Sequence, residues 1–254
     1  VIRTPAVAAL FYPGEGGRLG ATVDELLAVA GKRALSGLRA LVAPHAGYEY
    51  SGPVAATAYA HLSRPGVVVL LGPSHFVPLD GFAVTAADAW ATPLGELRVA
   101  HDLRDAAVDA GAIVDDRPHE REHALEVQLP FLQRACPEWP EILPIAVGRA
   151  SPGDVASLID ALGSFVVVST DLSHYHDAGT AARLDRETAD AVVARKPTEI
   201  SSAAACGAFA LRGLVEHARQ NDLDVELLDL RTSADTAGDA GRVVGYGAFA
   251  VFRS

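Results

Sequence analysis

The chain has no methionine, only two cysteines and few aromatic side chains, at 6% of 254 residues. Cys136 and Cys206 are too few for the disulfide framework of a small secreted domain, and they fit a reducing compartment. No apolar run approaches the ~20 residues of a membrane span, so no transmembrane helix is expected. No basic-plus-apolar leader opens the chain, and a cytoplasmic location is the expectation. Basic residues are neither numerous nor bunched: 21 Lys and Arg stand against 32 Asp and Glu, a formal charge of −11. That balance argues against a nucleic-acid or anionic-membrane surface. There is no repeat of 20–50 residues. No change of composition marks a linker.

What is present is a chain that is 50% apolar, ample for one large core. Short β-branched runs at 38–43, 67–71, 142–147 and 165–170 alternate with helical patterns at 53–62, 102–111, 123–136 and 152–162. Helices at 178–195 and 206–219 then lead to strands near 224–230 and 243–252. This alternation predicts an α/β fold, a single domain over residues 1–254 with a mainly parallel central sheet flanked by helices. Residues 1–20 read as irregular, with Pro5, Pro13 and Gly14-Glu15-Gly16-Gly17 as breakers and Thr22 as the N-cap of a helix. Pro53 is expected in the first turn of its helix. Phe82–Thr85 and Leu97–Val99 suggest a small antiparallel excursion around Thr92-Pro93-Leu94-Gly95.

Two histidines sit just beyond apolar strands, His45 after Leu41-Val42-Ala43 and His75 after Val67–Leu71. A third strand end carries Asp171 and His174. In open α/β sheets ligands bind outside the carboxyl ends of the strands, and imidazole is the commonest transition-metal ligand in proteins. One shared metal site follows as an expectation. It needs a third ligand, and Asp171, Cys206, Asp235 and Asp239 all qualify by residue type. His123 opens a helical pattern with Glu126 one turn on, so the two are expected to face the same way, either as a local pair or as a pair lining the site. His61 and His217 suit helix C-termini, His101 a structural turn, and His119 and His176 solvent.

The motifs Phe11-Tyr12-Pro13, Ala43-Pro44-His45-Ala46-Gly47-Tyr48-Glu49-Tyr50-Ser51-Gly52, Gly72-Pro73-Ser74-His75, Glu122–Leu132 and Thr170-Asp171-Leu172-Ser173-His174-Tyr175 together resemble the Memo family across nearly the whole chain. Bacterial and archaeal members are called AmmeMemoRadiSam system protein B. The family in turn is similar in fold and pocket to class III extradiol dioxygenases of the LigB type, which hold non-haem Fe(II) with two histidines and a carboxylate. The resemblance implies a divalent-metal protein, with Fe(II) first and Cu or Zn as alternatives. It implies His45 and His75 as metal ligands and Asp235 as the third, where animal members have a cysteine. It places His174 as acid/base, with His123 and Asp171 lining the pocket. The implied activity is dioxygenase-like oxidoreduction of a small molecule or modified residue, beside AMMECR-type and radical-SAM partner proteins. A Zn-dependent hydrolase or lyase and a non-catalytic metal- or peptide-binding module are the rivals. Residue 9 is Ala where the family pattern has Gly, and Ala208-Phe209-Ala210 departs from the family run after Cys206-Gly207.

Overall fold

The computed structural model describes residues 1–31, 35–236 and 241–254. In chain order the elements are β1 (Ile2–Arg3), α1 (Gly16–Ala30), β2 (Leu38–Ala43), α2 (Tyr48–Tyr59), β3 (Val67–Pro73), β4 (Phe82–Val84), β5 (Ala89–Thr92) and β6 (Gly95–Arg98). Then come α3 (His101–Asp109), β7 (Ile113–Val114), α4 (Arg117–Glu120), a 3₁₀ turn at Glu126–Gln128, α5 (Leu129–Ala135), β8 (Glu141–Val147), α6 (Pro152–Leu162) and β9 (Phe165–Ser169). The last are β10 (His174–His176), α7 (Ala178–Val193), α8 (Ala208–Gln220), β11 (Asp224–Thr232), α9 (Ser233–Thr236) and β12 (Val243–Phe252).

The main sheet runs β10-β12-β2-β9-β3-β8-β4-β7, with β11 also on β12. Its centre, β2-β9-β3-β8, is parallel. Antiparallel pairings of β12 with β2 and of β4 with β8 make the flanks mixed. The central strands are Val/Leu/Ile-rich because helices cover both faces, and Leu41, Val69, Leu70, Val167 and Val168 are fully buried. β2 and β3 are consecutive parallel strands but not neighbours in space. β9 returns between them, and this crossover opens a crevice at the carboxyl ends of the three strands.

Several local expectations need correction. α1 begins at Gly16, six residues before Thr22, because the Glu15 carboxylate accepts from the Gly17 and Arg18 amides and caps the helix. α2 begins at Tyr48, so Pro53 lies inside it. The first turn therefore follows His45 almost at once and helps to fix the loop that carries it. Phe82–Val84 joins the main sheet through β8, while the hairpin is β5 with β6, extended by β1 on β5. Ala9 has φ of 65°, the left-handed conformation in which a glycine carries no steric cost.

Candidate metal centre

The crevice gathers side chains from all three strand ends. His45, 1% exposed, donates its backbone N–H to Asp171 Oδ1 at 2.7 Å. Its Nδ1 lies 2.9 Å from Ser169 Oγ. The surrounding bonds fix the direction of that contact. Ser169 donates its only proton to the Ala124 carbonyl at 2.6 Å and accepts from Gln128 Nε2 at 2.8 Å. Gln128 is held in turn by Pro44 O and by the Tyr59 hydroxyl. Ser169 Oγ can therefore only accept from His45, which places the imidazole proton on Nδ1. The Nε2 lone pair is left facing Cys206 Sγ at 3.1 Å. Burial, reinforced by the nearby His75, pushes the His45 pKa down to about 3, so the ring is neutral as a ligand must be.

His75 is held differently. Its Nδ1 lies 2.8 Å from Glu122 Oε1, and its backbone N–H donates to Glu122 Oε2 at 2.7 Å. Glu122 is fully buried. Burial alone would raise its pKa, but hydrogen bonds and charge interaction with His75, with the Ala124 amide, outweigh it and bring the group to about 2. An ionised carboxylate only accepts, so His75 carries its proton on Nδ1 and keeps Nε2 free. His174 repeats the pattern, with Nδ1 2.8 Å from the Leu172 carbonyl.

Cys206 reaches the crevice on the segment before α8. Gly207 allows this approach: a Cβ there would lie 2.8 Å from Thr170 Cβ and 2.9 Å from the Ser169 carbonyl. The Gly207 amide donates to Thr170 Oγ1 and the Asp171 amide to Cys206 Sγ, tying the thiol to the end of β9. Burial, with the Asp171 charge adding to it, pushes the thiol pKa up to about 12. Asp171 is itself buried, and desolvation raises its pKa.

One ligand atom each from His45, His75 and Cys206 lies within 4.8 Å of the others, a set that could hold one ion. Bonds of ~2.0–2.3 Å to imidazole and thiolate are within reach of such a set. His75, Glu122 and His123 form a second close group. There, however, Glu122 already accepts from the His75, His123 and Ala124 amides and from His75 Nδ1, three of these bonds on Oε1 and one on Oε2, so most of its accepting capacity is in use. Two imidazoles with free Nε2 atoms and one thiol are the better donor set.

Asp235, expected as the third ligand, joins neither group. Its Oδ2 accepts from the Thr232 amide at 2.7 Å and the Thr232 hydroxyl at 3.0 Å, turning the carboxylate back onto the end of β11. Asp239 lies outside the described residues. His123 is at the site, its ring centroid 5.3 Å from that of His45 and 4.8 Å from that of His75. Its carboxylate neighbour is Glu122, at 3.3 Å, and not Glu126. Glu126 faces the N-terminal segment, where it accepts from Arg3, Ala6, Val7 and the Tyr12 hydroxyl. That clamp helps to set Phe11 against His123, with centroids 4.6 Å apart. Burial, with His45 and His75 adding to it, pushes the His123 pKa down to about 4. The Tyr48 hydroxyl is buried on the Val127 carbonyl, and Tyr50 is partly exposed.

Sequence reasoning assigned no role to Glu122, Ser169 or Gln128, which orient the imidazoles. Glu122 stood beside His123 in the motif, and no spacing pointed it towards His75. His119, expected in solvent, is 1% exposed: Nε2 contacts the Ala83 carbonyl at 3.1 Å, and buried Nδ1 has no hydrogen-bond partner.

Fold and site together define an α/β domain whose strand ends assemble a candidate metal centre. The family model described as Memo-like protein matches residues 3–250. A MEMO1 family protein of Aquifex aeolicus is 35% identical over 264 aligned positions, covering 96% of this chain and 97% of that protein. One from Methanosarcina barkeri is 34% identical and covers 98% of this chain and 100% of that protein. Another, from Methanothermobacter thermautotrophicus, is 33% identical, with 97% and 99% covered. The chain belongs to the Memo family. No helix among the described residues is long and apolar enough to cross a membrane.

Proposed function

We propose that this chain is a metal-dependent oxidoreductase acting on a small molecule, with one ion held by His45, His75 and Cys206. The observation that carries the reading is the convergence of those three donors within 4.8 Å, with both imidazole protons held on the far nitrogens. An ion with three protein ligands and open positions supplies Lewis acidity and, where the metal is redox-active, a route for electrons.

The rest is the work of the chain. Ser169 and Glu122 orient the two imidazoles. His174, its Nδ1 proton on the Leu172 carbonyl, presents Nε2 to take a substrate proton and return it. His123 lines the same crevice, with Phe11 packed against its ring. Asp171 holds the His45 backbone and carries the turn that leads to His174.

A thiol where a carboxylate was expected bears on the metal. Two histidines and a carboxylate suit Fe(II), whereas a sulfur donor moves the preference towards softer ions, Cu and Zn included. The same thiol supports a second reading, a Zn-dependent hydrolase or lyase with an open coordination position.

The test is metal analysis after anaerobic purification, followed by oxygen uptake with catechol-like and other aromatic compounds. The expected result is about one ion per chain and uptake that His174→Ala abolishes while retaining the ion. Metal content far below one per chain, unchanged by His75→Ala, contradicts the reading. An AMMECR-type protein and a radical-SAM enzyme belong to the proposal as partners, and co-purification from native extract tests them.

A further inference from the structure

The acids of the centre are turned inward. Glu122 and Asp171 are buried and bound to the His75 and His45 backbones. The rim is built from different groups. Phe76, next in sequence to His75, is 51% exposed, and the Arg121 guanidinium lies 4.9 Å from its ring centroid. Tyr175, next to His174, is 65% exposed, and the Arg242 guanidinium lies 5.1 Å from its centroid. Each guanidinium is therefore one aromatic ring away from a site imidazole. The Phe76 ring is 6.4 Å from that of His123 and 6.5 Å from that of His75, and the Tyr175 ring is 5.7 Å from that of His174.

Arg121 and Arg242 have no ion-pair partner among the described residues, a state they share with Arg186 and Arg212, and what distinguishes them is that each stacks on an aromatic ring beside the site. One further observation separates this rim from ordinary surface. Tyr175 also has φ of 65°, at the irregularity where β10 slips against β12. A bulky residue is rarely held in that conformation, and such strain concentrates at functional sites. It holds the ring outward beside His174.

We propose that the substrate of this centre is a small planar carboxylic acid, its ring lying against Phe76 or Tyr175 and its carboxylate held by the guanidinium stacked there, Arg121 or Arg242. Stacking uses the face of a guanidinium and leaves its in-plane N–H donors free, and that fork matches a carboxylate. The proposal rests on the metal-centre reading, because it names the substrate of that site.

The test is a ¹⁹F-NMR titration of the full-length, metal-loaded chain with 4-fluorobenzoate and with its neutral analogue 4-fluorobenzamide. Wild type, Arg121→Gln, Arg242→Gln and the double variant are compared, with Arg186→Gln as a control at an exposed arginine on α7. Exposed charge pairs are individually weak, so the arginine beside the occupied ring is expected to supply a preference for benzoate of about fourfold, lost in its single variant. The double variant should bind both compounds equally, and Arg186→Gln should match wild type. Equal binding of the two compounds by wild type overturns the proposal. So does a benzoate preference that survives in the double variant and disappears on chelation, since that is direct ligation of the ion. Metal content measured on the same samples separates the two readings. Full metal with no carboxylate preference defeats the substrate class alone, and absence of metal defeats the functional reading beneath it.

Discussion

His45 and His119 are buried to the same degree, 1% exposed, yet only one belongs to a site. His45 gives its Nδ1 proton to Ser169 and turns Nε2 towards Cys206, with two more imidazoles around it. His119 has the opposite tautomer: Nε2 donates to the Ala83 carbonyl, and Nδ1 is left without a partner, near Trp90. Burial with a depressed pKa is common to both, so neither property marks a functional histidine. The difference lies in what the free nitrogen meets.

The largest expected effect comes from removing what it meets. His45→Ala or Cys206→Ser should lower ion affinity by at least about 100-fold, measured by competition with a chromophoric chelator. His119→Gln should leave affinity unchanged. Melting curves of each variant check that the loss is not unfolding.

The second effect belongs to His119. Burial pushes its pKa down to about 4, below the ~6.5 of a free imidazole. As pH falls from ~6.5 towards ~4 the unfolded chain takes up this proton first, so the native state should lose on the order of 3 kcal/mol across that window and nothing further below it. Urea midpoints at pH 7.5 and 4.5 measure the loss, which should shrink in His119→Gln. An equal acid loss in wild type and variant would assign it to other groups.

Much of this comparison was legible in the sequence, and part was not. The apolar runs ending at Ala43 and Leu71 announced buried parallel strands, and His45 and His75 followed from topology. Cys206 could only be one of four candidates. Its delivery depends on Gly207 packing against Thr170, a contact between segments 37 residues apart in the chain, whose local sequence gives no direction. Asp235 qualified by residue type and by the family resemblance, but its carboxylate accepts from the Thr232 amide and hydroxyl, a local pairing that residue type alone does not reveal. His119 was misplaced because Asp115, Arg117 and Glu120 around it made the segment look solvated. α4 turns His119 and Pro118 inward while Arg117 and Glu120 stay outside.

Smaller effects sharpen the picture. Glu122→Gln keeps the shape of the His75 support but removes its charge, and should weaken ion binding roughly 10- to 100-fold. An unchanged affinity would show that His75 needs no ionised partner. Asp235→Asn should cost about 1 kcal/mol of stability through weaker bonds to Thr232 and leave ion affinity at the wild-type value. A loss of ion binding there would restore Asp235 to the site.

X-ray absorption at the metal edge asks most directly what holds the ion. A sulfur scatterer at ~2.3 Å is expected beside imidazole nitrogens, lost in Cys206→Ser and kept in Asp235→Asn. A shell of nitrogen and oxygen alone, altered by Asp235→Asn and untouched by Cys206→Ser, would contradict ligation by Cys206.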